Sequence, residues 1–312
     1  MTRPAPAPAV DRHSRLAVLL LLAVTAVWGS TFFLIRDLVE HVPSADFLAV
    51  RFAIAAVLMF VVFHRQTLAL TRRQLALGAG LGVLYAVAQL LQTVGLETTA
   101  ASVSGFLTGT YIVLTPVLGA LLLKDEIPRT AWVAAVIAMV GIGVLSLSGL
   151  AMGFGEALTL GSALVYALHI LALGRWSTAR TALGLSTVQA AVIAVVCGAA
   201  ALPDGLTLPA TGGQWMSLLY MAVVAGAGAL IAQTWAQAHL TATRAAIVMA
   251  MEPVFAALFA VLLGGESVTW RLLVGGSLVL GAMYLVELRA TSHDDDLTAL
   301  EDPPAEALHH DV

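Results

Sequence analysis

The chain has 312 residues, of which 60% are hydrophobic and 11% are charged, and its mean hydropathy is +0.93. A soluble domain carries about 25% charged residues, so this composition excludes a water-soluble globular protein and indicates an integral membrane protein. The formal net charge of −4 comes largely from acidic residues in the segment 290–312, and nucleic acid is not expected as a partner.

A membrane-spanning helix needs about 20 predominantly apolar residues, and ten segments of the chain meet this requirement. In chain order they are 16–36, 45–64, 75–96, 100–123, 130–149, 154–174, 183–202, 214–238, 243–264 and 270–288. The runs lack the two-residue alternation of membrane strands, so the predicted fold class is an all-α membrane protein with about ten transmembrane helices. The first segment has the basic start of a signal peptide, but Ala26-Val27-Trp28 is a poor cleavage site, and we interpret it as a retained helix.

Two passages of the chain repeat one pattern, from Thr98 to Glu126 and from Leu240 to Glu266. Each has a polar Thr/Ala start, a long apolar run broken by one proline, and an acidic end. Such a repeat indicates two related halves of five spans each, and an odd number of spans gives the halves opposite orientations. The predicted organisation is a cytoplasmic tail at 1–15, repeats at 16–149 and 150–289, and a disordered acidic cytoplasmic tail at 290–312.

Basic residues indicate how the chain lies across the membrane. With a cytoplasmic N-terminus, most Lys and Arg residues fall on the inner side, and only Arg36, Arg51 and Arg271 fall on the outer side. This asymmetry follows the positive-inside rule. The sequence therefore predicts a multi-pass protein of the inner or plasma membrane with both termini in the cytoplasm.

Polar side chains recur at helical spacing in five spans, whereas the second, fifth, seventh and tenth spans are almost wholly apolar. These stripes are Thr25, Trp28 and Thr31; Tyr85, Gln89 and Gln92; Thr108, Tyr111 and Thr115; Thr159, Ser162, Tyr166 and His169; and Gln233 and Gln237 with Trp235 nearby. Polar side chains are costly in the bilayer unless they face protein or a wet cavity, so stripes around a shared centre predict a substrate cavity. Ordinary interhelical hydrogen bonding is the alternative interpretation. The candidate substrate-binding residues are Trp28, Tyr85, Gln89, Tyr111, Tyr166, His169, Trp235 and Glu252.

Three ionisable residues within the apolar spans carry two interpretations each. Glu252 directly precedes Pro253, which frees a backbone carbonyl, so its carboxylate is a candidate for binding a substrate ammonium or a coupling proton; locking the bundle is the alternative. His169 is a candidate for proton coupling or a structural hydrogen-bond donor. Arg51 is expected to have a structural role, by snorkelling or by pairing with Asp46 or Glu40.

Small residues in the fifth and tenth spans, including Gly141, Gly275 and the Ser277–Gly281 pair, allow close helix approach. We expect these two spans to pack together or to mediate a homodimer.

Several functional signatures are missing from the sequence. It has no Walker-type loop, no His-Glu-x-x-His and no Gly-x-Ser-x-Gly, and no cofactor or metal is expected. An intramembrane enzyme would depend on His169 and Glu252 alone, too few for a metal site, and a non-transporting sensor would need a signalling tail. The interpretation favoured by the residues is a carrier of a small organic solute.

The chain resembles the EamA family of the drug/metabolite transporter superfamily over residues 16–289. The resemblance is carried by Trp28-Gly29-Ser30, Arg51-Phe52, the Thr-Thr-Ala-Ala-Ser start of the fourth span, Thr243-Arg244-Ala245-Ala246, Glu252-Pro253-Val254-Phe255-Ala256-Ala257 and Gly265-Glu266. It implies ten helices in two inverted repeats, alternating access, and outward movement of amino acids, other small metabolites or drugs without ATP hydrolysis. The first half departs from the family pattern where Gly105-Phe106-Leu107-Thr108 precedes a late Pro116.

Overall fold

The computed structural model describes residues 12–124, 129–148, 151–178, 180–203, 205–229, 232–233, 236, 239 and 248–301. The α-helices are α1 Arg12–Val39, α2 Ser44–Leu68, α3 Arg72–Leu96, α4 Ala101–Gly109, α5 Tyr111–Leu118, α6 Arg129–Ser146, α7 Phe154–Trp176, α8 Ala182–Ala201, α9 Gly212–Leu219, α10 Glu252–Leu262 and α11 Trp270–Glu301. Two π-helices, Gly119–Leu123 and Tyr220–Gly228, continue α5 and α9. Helical structure is therefore present at each of the ten predicted spans.

Six of the described helical segments are long and apolar enough to cross a membrane: Arg15–Val39, Ser44–Leu68, Arg72–Leu96, Ala101–Leu123, Phe154–Trp176 and Ala182–Ala201. Three shorter apolar helices occupy Arg129–Leu145, Glu252–Leu262 and Trp270–Leu285. Large apolar side chains such as Val61, Val136 and Val195 stand exposed on the outer surface, as lipid-facing positions should. The prediction of an α-helical membrane protein is confirmed.

The connection between the two halves contains the β-structure of the described chain. Strands β1 Leu147–Ser148 and β2 Ala151–Met152 pair antiparallel, with Leu147 opposite Met152. The spanning segments themselves are helical, because a helix satisfies every backbone hydrogen bond within the segment.

Two spans are interrupted near their middle. A turn at Thr110 separates α4 from α5, and turns at Ala250 and Met251 directly precede α10. Tyr111 and Glu252 are therefore the first residues after the two breaks. Aligning Pro116 with Pro253 would match Thr115 to Glu252. Aligning the two helix breaks matches Tyr111 to Glu252 instead.

The helices pack in pairs that involve both halves of the chain. The most extensive contacts join α2 to α8, α6 to α11, α3 to α7, α3 to α8, and α1 to α10. A Cβ atom at Gly141 would lie 3.0 Å from the carbonyl oxygen of Gly275, so glycine permits α6 and α11 to approach this closely. These glycines pack the fifth and tenth predicted spans against each other, while Ser277 and Gly281 are exposed, and a homodimer stays a prediction.

Matching capping boxes start α3 and α9. Thr71 Oγ1 accepts from the Gln74 backbone N–H while Gln74 Oε1 accepts from the Thr71 N–H, and Thr211 and Gln214 repeat both bonds. Each box satisfies backbone donors that the first helical turn leaves without partners. The same Thr-x-x-Gln motif therefore begins the third and the eighth predicted spans.

Candidate functional site

Aromatic side chains from four helices meet in the middle of the bundle. The Tyr85 ring stacks on His169 at a centroid distance of 5.0 Å and meets Tyr166 and Phe52 edge-on at 5.7 and 6.2 Å. Tyr111 meets Tyr166 at 6.4 Å. Helices α2, α3, α5 and α7 therefore converge on one aromatic group, with Tyr85 and Tyr166 at its centre.

A hydrogen-bonded chain links the same helices beside the rings. The Tyr166 hydroxyl donates to Gln92 Oε1 at 3.0 Å, and Gln92 Nε2 donates to Thr108 Oγ1 at 3.1 Å. Gln92 and Thr108 are buried, so this amide is satisfied at both ends. Gln92 thus ties α7 to α3 and α4.

The side-chain amides of Gln189 and Gln89 in this region differ in their hydrogen bonding. Gln189 Oε1 lies 2.6 Å from His169 Nε2, and because an amide oxygen only accepts, the imidazole N–H is the donor. The Gln89 side chain lies beside the Tyr85 hydroxyl, but its Oε1 is buried without a hydrogen-bond partner in the described chain. We call Tyr85, Gln89, Gln92, Thr108, Tyr111, Tyr166, His169 and Gln189 the central cluster.

Glu252 lies at the N-terminus of α10, where the helix dipole favours a carboxylate. The helix is placed by close packing, since Gly109 meets the Pro253 ring and Gly29 of α1 meets Phe255. Glu252 is half-buried and directly precedes Pro253, whose ring meets Gly109 two residues before Tyr111. Among the described residues it has no hydrogen-bond or ion-pair partner.

Trp28 contacts a different element. Its indole Nε1 donates to the carbonyl of Ala225 at 2.9 Å, in the π-helix Tyr220–Gly228, and the neighbouring Ser30 Oγ lies 2.8 Å from the Tyr220 hydroxyl. The Trp-Gly-Ser motif therefore joins α1 to both α10 and this π-helix. Trp235, the remaining candidate, lies outside the described residues.

The structure brings Tyr85, Gln89, Tyr111, Tyr166, His169 and Glu252 of the sequence candidates into one region. It adds Gln92 and Thr108, which the polar stripes contained, and Gln189, which lies near Ser186 and Thr187 in a span that the sequence analysis treats as almost wholly apolar. It also adds Arg51, whose guanidinium carbon lies 5.3 Å from the Phe52 ring centroid and 5.7 Å from that of Phe47. The expected partner Asp46 instead accepts the backbone N–H of Thr207 at 2.7 Å.

A second polar group lies at one end of the bundle. The Glu266 carboxylate accepts from Arg36 Nη1 at 3.0 Å, from the backbone N–H groups of Ala101 and Ser102 at 2.6 and 3.3 Å, and from Ser102 Oγ at 2.5 Å. We call Arg36, Ala101, Ser102 and Glu266 the mouth cluster. It ties the end of α1 and the chain after α10 to the first turn of α4, where anionic groups satisfy free N–H donors.

A cavity of about 760 Å³ borders the mouth cluster. Its lining includes Phe33, Asp37, Glu40, Thr269 and Leu272. Among the described residues, no group of three or more His, Cys, Asp or Glu side chains is arranged to hold a metal ion.

Comparison with known proteins gives three findings. The model of the EamA-like transporter family matches residues 15–147 and again 153–288. An uncharacterised transporter of Archaeoglobus fulgidus is 30% identical over 270 residues, covering 86% of this chain and 85% of that protein. A protein of known crystal structure superposes on 90% of this chain and 99% of its own with a TM-score of 0.63 at 16% identity, a likeness of fold alone.

Proposed function

The chain belongs to the EamA-like transporter family, and from this premise we propose that it exports a small organic solute by alternating access, without ATP hydrolysis. The substrate class is that of small metabolites such as amino acids or drug-like compounds. The central cluster with Arg51 and Glu252 is the binding region in this proposal.

One observation carries the proposal: polar groups without partners lie inside an apolar bundle, on helices from both halves. Gln89 Oε1 is buried without a hydrogen-bond partner in the described chain, although buried polar groups are ordinarily satisfied. The half-buried Glu252 carboxylate also has no partner among the described residues. Interhelical hydrogen bonding explains Gln92, Thr108 and Gln189, but it does not explain these groups. A polar solute bound between the tyrosines would supply the missing partners.

The pairing of helices supports an inverted-repeat arrangement. In an inverted repeat, each span of the first half corresponds to the span five positions later. The first span then corresponds to the sixth and the ninth to the fourth, so a contact between spans one and nine should be matched by a contact between spans six and four. Both contacts are present, between α1 and α10 and between α7 and α4 with α5. The contacts of α2 with α8 and of α6 with α11 are each converted into themselves. This symmetry is what alternating access around a central site requires.

The mouth cluster supplies a gate for this mechanism. With both termini in the cytoplasm, the end of α1 and the start of α4 lie at the outer face, and in this proposal Glu266 holds these elements together there. Opening outward would separate Glu266 from Ala101, Ser102 and Arg36, and closing would restore four hydrogen bonds. Two packings of this kind provide the alternative states that a transporter needs.

The candidates for proton coupling differ in their surroundings. His169 donates to Gln189 and stacks on Tyr85, so its described contacts suit a structural role. Glu252 has no such partner and lies at a helix break, which favours it as the residue that binds a proton or a substrate cation.

An intramembrane enzyme finds no support in this geometry. Its nucleophile and base would have to lie within hydrogen-bonding reach, and the His169 Nε2 contact goes to Gln189 rather than to an acid.

Metabolite profiling of medium and cells tests the function. Cells expressing the chain are compared with cells expressing Gln89→Ala/Glu252→Ala at equal membrane abundance, with the exposed Gln66→Ala as the matched control. We expect a solute enriched in the medium only with the unmodified chain and Gln66→Ala. Gln89→Ala and Tyr111→Ala alone should abolish this enrichment without reducing membrane insertion. Depletion of a solute from the medium would reverse the direction, and full export by both single variants would exclude the central cluster.

Cysteine labelling tests the orientation in the inner or plasma membrane. A cysteine at Arg72, in a chain whose buried Cys197 is replaced by Ala, should resist an impermeant thiol reagent in intact cells and react after permeabilisation. A cysteine at the exposed Asp37 should react in intact cells. The reverse pattern would contradict cytoplasmic termini.

A further inference from the structure

A groove runs along the lipid-facing surface between α2 and α8. It has a volume of about 510 Å³ and extends along α2 from Ala56 to Thr67 and along α8 from Thr187 to Val195. Exposed apolar side chains such as Val61 form its walls. None of its lining residues belongs to the central cluster or the mouth cluster, so the proposed transport mechanism does not use this groove.

A bend in α2 lies within the length of the groove. Phe63 has non-helical dihedral angles there (φ −112°, ψ 22°), and the Thr67 hydroxyl donates to the Phe63 carbonyl at 2.9 Å. A threonine hydroxyl bonded back to the preceding turn often bends a helix. On α8, the Thr187 hydroxyl donates to the Leu183 carbonyl at 2.9 Å. Both hydroxyls at this end of the groove are therefore bonded within their own helices, and the surface that remains suits a hydrocarbon chain.

Basic side chains of α2 lie beside the same end of this apolar groove. His64 and Arg65 follow Phe60 and Val61 by four positions, so they share the face of α2 that lines the groove. Both side chains are exposed. The apolar path between the helices therefore ends at polar groups that can be cationic.

Arginines of two neighbouring segments lie close to this end. A Cβ atom at Gly184 would lie 2.8 Å from the Gln66 carbonyl oxygen, so the start of α8 lies against the end of α2. Arg180 comes four residues before Gly184, and α3, which packs against α8, has Arg72 and Arg73 in its first turn. These three arginines are exposed. We call the basic end of the groove the set His64, Arg65, Arg72, Arg73 and Arg180.

The segments that form the basic end contain no acidic residue to balance its charge. Neither 56–80 nor 175–195 includes Asp or Glu, and its arginines have no ion-pair partner among the described residues. The opposite end of the same helix pair differs, since Asp46 lies at the start of α2 and 196–213 includes no Lys or Arg. One end of the groove alone is therefore complementary to an anion.

The positive-inside rule is the competing explanation for these arginines, because basic residues collect on the cytoplasmic side of a membrane protein whatever they bind. That rule requires charges near the spans, but it requires no groove beside them. It also treats Arg65 and Arg180 in the same way as Arg129, which begins α6 on the same predicted side. A specific site would distinguish them.

We propose that the groove between α2 and α8 binds an anionic phospholipid. One acyl chain lies in the groove, and the phosphate-bearing headgroup binds the basic end. In the proposed orientation this lipid belongs to the cytoplasmic leaflet. The site is separate from the central cluster, so the proposal goes beyond the proposed function and does not depend on it.

Native mass spectrometry of the purified full-length protein in detergent tests the proposal. The probes are dioleoyl phosphatidylglycerol, the zwitterionic dioleoyl phosphatidylcholine with the same chains, and glycerol phosphate, which has the phosphate without chains. The proteins are the unmodified chain, Arg65→Gln/Arg180→Gln, and Ala191→Trp, which fills the groove. Two controls lie on α6: Arg129→Gln removes an exposed arginine, and Val136→Trp adds bulk at an exposed position.

We expect the first phosphatidylglycerol to bind the unmodified protein about tenfold or more tightly than phosphatidylcholine. Arg65→Gln/Arg180→Gln should remove this preference and leave phosphatidylcholine binding unchanged, because the groove is intact. Ala191→Trp should weaken binding of both lipids about tenfold, because the chain loses its place. The two controls should match the unmodified protein, and glycerol phosphate should not displace phosphatidylglycerol.

Four results would overturn the proposal. Equal affinities for the two lipids would exclude recognition of the headgroup, and an equal loss in Arg129→Gln would leave only a general effect of positive charge. Unchanged binding in Ala191→Trp would exclude the groove, and displacement by glycerol phosphate would identify a phosphate site in place of a lipid site. The unliganded melting temperature of each variant separates misfolding from lost binding. Arg65→Lys/Arg180→Lys keeps both charges and should keep the preference, which gives a second test if the glutamine pair is unstable.

Discussion

The mouth cluster and the central cluster contain similar polar groups, but these groups have hydrogen-bond and ion-pair partners at the mouth and lack some of them at the centre. At the mouth, one carboxylate accepts four hydrogen bonds from an arginine, a serine hydroxyl and two backbone N–H groups. At the centre, Gln89 Oε1 is buried without a partner and the charges of Arg51 and Glu252 are not paired within the described chain. Complete networks hold elements together, whereas an incomplete network inside a folded protein is suited to a partner that comes and goes. In the proposed mechanism, this difference distinguishes the gate from the binding region.

Loss of Glu266 should have the largest effect on stability. Glu266→Ala removes a nearly buried carboxylate and leaves the Ala101 and Ser102 N–H groups and Arg36 without their acceptor. We expect the free energy of unfolding to fall by about 2 kcal/mol, less than for a fully buried pair because Arg36 is partly exposed. Thermal unfolding in nanodiscs measures this, with Asp37→Ala in the same cavity as the control. Equal melting temperatures for the two variants would show that the hydrogen bonds of Glu266 do not stabilise the structure, in contradiction to the role proposed for the mouth cluster.

Loss of Gln92 tests the satisfied part of the central cluster. Gln92→Leu leaves the Tyr166 and Thr108 hydroxyls without a partner, and we expect a loss of about 1–2 kcal/mol. Adding Tyr166→Phe should recover part of the loss, because the orphaned hydroxyl is removed. Strictly additive effects of the two substitutions would show that this hydrogen bond does not stabilise the bundle.

Loss of a capping box measures how much a polar contact outside both clusters contributes to the free energy of unfolding. Thr71→Ala removes the acceptor for the Gln74 N–H at the start of α3, and Thr211→Ala does the same at the start of α9. We expect each to cost about 0.5–1 kcal/mol, since both positions are exposed. Circular dichroism melts of the two variants should agree within error, and a large difference would contradict the structural equivalence of the two caps.

Loss of Gln89 should have the smallest effect on stability and a large effect on transport. Gln89→Leu removes a buried amide oxygen that has no partner, which offsets the loss of the side-chain contact with the Tyr85 hydroxyl, so we expect little change in the melting temperature. Export measured by metabolite profiling should be lost. A clear fall in melting temperature would show that Gln89 stabilises the bundle, as Glu266 is expected to do, and would contradict the proposed difference between the two clusters.

Much of this molecule could be predicted from the chain alone, because the bilayer leaves few choices. A run of about 20 apolar residues must form a helix to satisfy its backbone, so the spans followed directly from the sequence. The helical spacing of polar residues selected Tyr85, Gln89, Tyr111, Tyr166 and His169 as candidates, and an acid directly before a proline in an apolar run selected Glu252. Helical spacing predicts which residues share one face of a helix, but it does not predict which residues of other helices that face contacts.

The partners of these residues were decided by tertiary structure. Glu266 meets Ala101 and Ser102 across more than 160 positions of sequence, and Arg51 turns to Phe47 and Phe52 while Asp46 accepts the Thr207 N–H. The helix breaks before Tyr111 and Glu252, and the π-helix whose Ala225 carbonyl receives the Trp28 N–H, depend on packing that no local pattern encodes. The physical reason is that hydrophobicity determines which segments enter the membrane, whereas the fit of helices against one another determines which polar groups meet and which remain available to a substrate.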